Sequence, residues 1–247
     1  KNLAIFAALI FTGNFFDPEY FEKSLTGFIV LSILVSAVYF INDIADVNES
    51  ELSHYDLIIN CAGEIWNKED MIWTNVYGLD VLTKYCKENK IKLIHFSTAS
   101  VYGNSRYGIT KRMGEEVIRY HNPKDWLILR LTGVYGNGGD SAAYLFEKGD
   151  NIIFGDGYHI KDLIHIKDLI KAVKLAIKDN WTGEINLGGG KPATVNEIFK
   201  RFGKGKPKYL KDKKPDTFIT YLDNSKALKL GWKPTWSIWQ EKVKNEL

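Results

Sequence analysis

Asp56-Leu57-Ile58-Ile59-Asn60-Cys61-Ala62-Gly63 reads as a buried strand running into a turn of small residues. Lys92-Leu93-Ile94-His95-Phe96-Ser97 reads as a second strand. Between them, Met71 to Asn89 has apolar residues at Val76, Leu79, Val81 and Leu82 and is expected to be a helix. Strand, helix and strand at this spacing predict a parallel α/β unit. Ligands of such sheets bind at the carboxyl ends of the strands. Ala62-Gly63 and Ser97-Thr98 both fall there.

Tyr107-Gly108-Ile109-Thr110-Lys111 follows shortly after the second strand. If this stretch is helical, Tyr107 and Lys111 lie one turn apart on one face. A cation held there favours the phenolate of a group that titrates near ~10. The product is a general acid/base usable near neutrality. The spacing alone is a weak pattern in a chain with 13 tyrosines, since an exposed helix pair has it too. Its surroundings carry the argument.

Those surroundings come in a definite order. Asn60-Cys61-Ala62-Gly63 is followed by Asn75 within Thr-Asn-Val-x-Gly, then by Phe96-Ser97-Thr98-Ala99-Ser100-Val101-Tyr102-Gly103 and the Tyr107/Lys111 pair. Arg130-Leu131-Thr132-Gly133-Val134-Tyr135-Gly136 comes next. Then come Gly155-Asp156-Gly157, Lys161-Asp162-Leu163-Ile164-His165-Ile166-Lys167-Asp168 and Asn186-Leu187-Gly188-Gly189-Gly190. Lys214-Pro215-Asp216 and Leu230-Gly231-Trp232-Lys233-Pro234 close the series. Over roughly residues 50 to 240 this resembles the extended short-chain dehydrogenase/reductase family, in particular its nucleotide-sugar epimerases and dehydratases.

The resemblance implies an α/β fold: a Rossmann-like parallel sheet with a small C-terminal substrate lobe. It implies NAD or NADP as cofactor and a nucleotide-sugar as substrate, for an epimerase, dehydratase or reductase. In its terms Tyr107 exchanges a proton with a sugar hydroxyl, Lys111 lowers the pKa of Tyr107 and binds the nicotinamide ribose, and Thr98 hydrogen-bonds the same sugar oxygen. Cys61, Ala62, Gly63, Asn75, Ser97, Tyr107, Lys111 and Leu131 would line the cofactor. Thr98, Ser100, Lys161 and Lys214 would face the substrate. Lys161 and Lys214 stand where the family often has arginines near a diphosphate; lysine supplies a point charge and no bidentate fork. Ordinary surface lysines fit those two positions equally well. A homodimer through the helix carrying Tyr107 and Lys111 is a further implication.

The front of the chain departs from that pattern. A strand, glycine-rich turn and helix should open it, with backbone N–H groups meeting a pyrophosphate. Lys1-Asn2-Leu3-Ala4-Ile5-Phe6-Ala7-Ala8-Leu9-Ile10-Phe11-Thr12-Gly13 stands there instead, with Ala7 and Ile10 in two of the three glycine places. Ser24 to Ile41 is an uncharged, mostly apolar run of 18 residues. As a helix it would span about 27 Å, borderline for a bilayer core. Leu3 to Phe16 is a second such run, broken by Asp17-Pro18-Glu19. With Asn42-Asp43-Ile44-Ala45-Asp46 behind them, residues 1 to 48 resemble the N-terminal region of UbiA-type intramembrane prenyltransferases, especially those that transfer phosphoribose to a polyprenyl phosphate. That resemblance implies membrane contact through residues 3 to 41, and Asp43 and Asp46 as an alternative divalent-cation site. One reading is therefore a prenyltransferase start joined to a dehydrogenase that has lost its first strands, a catalytically impaired or membrane-associated remnant; the other is a degenerate dinucleotide-binding half, with Gly27 to Val35 and Val38 to Asp46 as its second and third strands. A signal peptide is not expected, for no small-residue cleavage site is clear.

A second departure lies between Thr98 and Tyr107. Only eight residues separate them, where the family usually has a couple of dozen. A tight turn has to make the connection, and a misplacement of about 1 Å can cost on the order of a hundredfold in rate.

Length and composition bound the rest. The 247 residues suffice for one large α/β domain with a smaller lobe. We divide them into an apolar segment over 1–48, a Rossmann-like domain over 49–190 and a substrate lobe over 191–247 with contributions from 137–165. Cys61 and Cys86 suit a reduced, cytoplasmic protein better than a disulfide framework; membrane association through the N-terminal segment is the alternative. The net charge of +3 and pI near 8.6 are too mild to argue for nucleic acid, and no recognition motif accompanies them. Lys204 to Lys214 reads as a basic, solvated loop. The five histidines show no metal-ligand spacing, and His95 reads as a packed core residue. Trp232, Trp236 and Trp239 read as a core stripe. Gly188-Gly189-Gly190 reads as a turn, since no Walker lysine follows it.

Overall fold

The structure, a computed structural model, describes residues 55–136, 142–210 and 219–240. The expectations for residues 1–48, including Asp43 and Asp46, and for Lys214 lie outside the described residues. The described residues form two compact units. The first comprises those up to Phe96 together with Thr110–Leu127; the second comprises Ser97–Ile109 and those from Ile128 onward.

In the first unit β1 (Leu57–Asn60) pairs in parallel with β2 (Lys92–Thr98), with Asn60 opposite His95. The expected crossover helix is built in three pieces: α1 (Asp70–Ile72), a π-helical stretch (Trp73–Gly78) and α2 (Leu79–Glu88). Helix α2 buries Leu79, Leu82, Thr83 and Cys86, the stripe of an amphipathic helix. Val81, counted among the apolar signals, faces outward. Ile58, Ile91, Leu93, Ile94 and Ile118 complete this core.

A 3-10 turn (Ala99–Tyr102) follows β2 and leads to α3 (Arg106–His121). Beyond it come β3 (Leu127–Leu131), β4 (Val134–Tyr135), α4 (Ala142–Glu147), β5 (Ile152–Phe154), β6 (Ile160–Lys161) and β7 (Ile164–His165). Then follow α5 (Ile166–Lys178), β8 (Gly183–Leu187), β9 (Ala193–Thr194), α6 (Val195–Phe202), β10 (Lys208–Leu210), β11 (Ile219–Thr220) and α7 (Ser225–Lys229). In the second unit β3 lies beside β8. Three small sheets belong to the second unit: β4 with β7, β5 with β10, and β11-β6-β9. The basic stretch after residue 204 is therefore not all loop, because Lys208–Leu210 pairs with Ile152–Phe154.

The core of the second unit gathers Tyr135, Phe146, Ile153, Leu163, Ile198, Phe199 and Phe202, with Phe146 and Phe199 edge to face at 5.0 Å. Helix α6 starts in a capping box between Thr194 and Glu197, which satisfies two N-terminal donors reciprocally. The expected tryptophan stripe holds for Trp232 and Trp236, which packs against this core, and is corrected at Trp239. Residues 233–236 are not helical, and Trp239 is exposed. Trp232 is fully buried and donates its indole N–H to the Asp168 carbonyl at 2.9 Å. The physical reason is Asp168 itself. Its buried carboxylate accepts from the N–H groups of Thr235 and Trp236 and from the Thr235 hydroxyl, all at 2.8 Å, so the chain is tied to α5 there.

Asp162 is a second buried carboxyl. Its Oδ1 accepts from the Lys191 N–H, and a Cβ on Gly188 would lie 2.2 Å from its Oδ2. Burial pushes its pKa up from 3.8 to about 6. The folded state thus binds this proton more tightly than the unfolded chain, so stability falls as pH rises through that interval.

Two outcomes follow for stability. Asp168→Ala removes the buried acceptor of three hydrogen bonds from Thr235 and Trp236 and should lower the unfolding free energy by about 2 kcal/mol in urea titrations. Asp162→Asn should flatten the decline in melting temperature between about pH 4 and about pH 6; an unchanged slope would show that Asp162 is not its source.

Candidate active site

The carboxyl end of β1 begins the site. The Oδ1 of buried Asn60 accepts from the Ala62 N–H at 3.0 Å, which folds Asn60-Cys61-Ala62-Gly63 back on itself. Across the strand pair, Asn60 Nδ2 faces His95 Nδ1 at 3.1 Å. The other ring nitrogen, Nε2, lies 3.1 Å from Lys111 Nζ, which also donates to the Phe96 carbonyl at 2.8 Å. Lys111 is only 2% exposed. Burial lowers its pKa from 10.5 to about 8, while Glu115 and Cys61 pull in the other direction. Burial, then the charge on Lys111, hold His95 well below its ordinary range. The core placement expected for His95 is seen, but its bonds to Lys111 and Asn60 were missed. The available signal was a polar ring inside an otherwise apolar strand.

Asn75 sits in the π-helical stretch, a local widening often found at functional sites. Its Oδ1 accepts from the Glu64 N–H at 3.0 Å, and its Nδ2 donates to the Glu64 carbonyl at 2.9 Å and to Thr110 Oγ1 at 3.0 Å. It therefore clamps the loop after β1 to the helix residue next to Lys111. A Cβ on Gly114 would lie 2.3 Å from the Asn75 carbonyl, so glycine lets α3 press against this stretch.

In the second unit Thr98 ends β2, and its Oγ1 accepts from the Ser100 N–H at 3.2 Å, capping the 3-10 turn. Thr98 and Ser100 are half-buried, and Ser97 is buried. The short connection to Tyr107 closes by two devices. Ser105 Oγ accepts from the Gly108 N–H at 3.1 Å, and a Cβ on Gly108 would stand 2.0 Å from the Ser100 carbonyl. Only glycine permits that approach. Tyr107 is half-buried in the first turn of α3, one turn ahead of Lys111, as the spacing predicts. Leu131 ends β3 and Lys161 lies on β6, both half-buried. Beside the 3-10 turn, Arg130 donates to Tyr102 Oη at 2.8 Å and pairs with Glu184 at 2.7 Å. Among the described residues no group of three or more His, Cys, Asp or Glu is placed to hold a metal ion. No helix among them is long and apolar enough to cross a membrane.

The residues after β1 suit a nicotinamide dinucleotide at its ribose end. Cys61, Ala62 and Gly63 present no bulky side chain at the strand's carboxyl end. A Cβ on Gly63 would come within 3.7 Å of the Lys111 amine, so the turn lies beside that nitrogen. The pyrophosphate end, expected before residue 55, lies outside the described residues.

Comparison with known proteins agrees with this fold. The NAD dependent epimerase/dehydratase family matches residues 40–188, a span that takes in Asp43 and Asp46. A Methanocaldococcus jannaschii relative is 36% identical over 149 residues, 53% of this chain and 48% of that protein. The UDP-glucuronate 4-epimerase of Thermodesulfobacterium geofontis is 31% identical over 199 residues, 67% of this chain and 61% of that protein. The chain thus spans about half to three-fifths of the length of these curated relatives. The UDP-glucuronic acid 4-epimerase of Bacillus cereus, solved with UDP-glucuronic acid and NAD, superposes with a TM-score of 0.73 at 28% identity, covering 82% of this chain and 77% of that one. With a family match over more than half of its length and a shared parallel α/β architecture, the chain belongs to the NAD dependent epimerase/dehydratase family.

Proposed function

We propose that this protein is an NAD-dependent 4-epimerase of a UDP-sugar, with Tyr107 as acid/base, Lys111 as its electrostatic partner and Thr98 as the hydroxyl that orients the sugar. The observation that supports it most is the placement of Tyr107 one helical turn ahead of a buried Lys111 on α3, where burial lowers the pKa of the amine to about 8. An ammonium there favours the phenolate. The similarity to UDP-glucuronate 4-epimerases favours epimerisation over dehydration or reduction.

The bound dinucleotide supplies a hydride acceptor and donor. Tyr107 takes the proton of the sugar 4-hydroxyl as the hydride leaves carbon 4, which gives a 4-keto sugar. Thr98 Oγ1 donates to the keto oxygen and keeps it oriented while the sugar turns over. Return of the hydride to the opposite face and of the proton from Tyr107 inverts the carbon, with no net oxidation. Lys111 holds the ribose and the charge balance at Tyr107. Lys161 would face the diphosphate.

The test is conversion of UDP-glucuronate and of UDP-glucose, followed by NMR of the sugar anomeric protons, on the full chain with NAD. Tyr107→Phe and Lys111→Met should each lower kcat by about 10²–10⁴-fold, with Tyr107→Phe leaving the affinity for NAD in calorimetry within about threefold. Turnover unchanged in Tyr107→Phe would sink the assignment, as would the absence of NAD binding by the wild type.

A further inference from the structure

The hydrogen-bond chain ending at Lys111 has a direction, and it is fixed from the β1 end. Asn60 Oδ1 is taken by the Ala62 N–H, so the atom facing His95 Nδ1 is the amide nitrogen Nδ2. An amide NH₂ only donates, so Nδ1 must carry a lone pair. A neutral imidazole with its lone pair on Nδ1 has its proton on Nε2. That N–H points at Lys111 Nζ, 3.1 Å away. An ammonium has no lone pair to accept it. A neutral amine does, and it can still donate to the Phe96 carbonyl. The arrangement therefore matches an uncharged Lys111.

Charging Lys111 requires the reverse polarity. Nζ then donates to a bare Nε2, the ring carries its proton on Nδ1, and Asn60 turns its Oδ1 to accept it, releasing the Ala62 N–H. One proton is gained at Nζ, and one moves from Nε2 to Nδ1, so the ring stays neutral throughout.

We propose that His95 is a positioning residue for Lys111: the ring tautomer of His95 and the charge of Lys111 change together, with the Asn60 amide as the reversible end of the chain. The groups facing the amine come from three elements: Cys61 after β1, His95 on β2, and Glu115 on α3, itself paired with Arg119 at 3.0 Å. Cys61 and Glu115 favour the ammonium; burial and the Nε2–H oppose it. Since Ala62 belongs to the turn assigned above to the cofactor, the charge on Lys111 is coupled to the shape of that turn. That consequence rests on the proposed function, while the proton chain does not.

The test uses ¹⁵N-histidine and ¹³Cε-lysine NMR of the ligand-free full chain across roughly pH 6 to pH 10. The His95 and Lys111 signals are assigned by their loss in His95→Gln and Lys111→Met. The expected result is a neutral His95 that is Nε2–H at the alkaline end and Nδ1–H at the acid end, with the same midpoint as Lys111. A tautomer that does not change while Lys111 titrates, or an imidazolium in this range, overturns the proposal. In Asn60→Asp a carboxylate holds the proton on Nδ1, so the proton affinity of Lys111 should rise at least about tenfold, roughly one pH unit. An unmoved midpoint in a folded Asn60→Asp protein also overturns it. A wild-type tautomer switch without any epimerisation would leave this inference standing and remove the function proposed above.

Discussion

A lysine amine taken out of water must be given new partners, and that requirement at Lys111 organises the first unit. Its two partners come from consecutive residues of β2, the His95 ring and the Phe96 carbonyl. His95 is backed in turn by Asn60 on the neighbouring strand, which the register places directly opposite. Helix α3 delivers the amine deep enough only because Gly114 lets it approach the Asn75 carbonyl closely. Asn75 then ties the loop after β1 to Thr110. Strand register, π-helical stretch and glycine are thus parts of one solution to burying a titratable nitrogen.

The second unit meets its constraints in a similar way, by close backbone approach where a side chain is missing. Gly108 sets the start of α3 against Ser100, and Gly188 and Gly189 set the turn after β8 against Asp162 and the Leu163 carbonyl. Two buried carboxylates hold this unit's connections. Asp162 receives the glycine turn, and Asp168 receives Thr235 and Trp236. Each supplies an acceptor to backbone N–H groups of a segment remote in sequence.

The parallel pair β1 and β2 and the helix between them were legible because apolar runs bounded by small residues admit few other arrangements. Tyr107 and Lys111 were legible because helical spacing is a property of the local chain. The three-part crossover was not, since a π-helical widening depends on what the helix presses against. The basic stretch around Lys208 was misread as loop because its strand partner, Ile152–Phe154, lies far away in sequence. The tryptophan spacing suggested a core stripe, but Trp239 is exposed, and the chain before it is held by a distant acceptor, Asp168.

The sequence by itself determined the parallel α/β class and the placement of Tyr107 and Lys111 one helical turn apart, because these follow from periodicity and spacing. Only the tertiary structure decided that His95 touches Lys111 and that Asn60 sets the direction of their hydrogen bond. It alone decided that Gly108 closes the short path from Thr98 to Tyr107. Those facts depend on strand register and on distances between backbones remote in sequence, which no local pattern encodes.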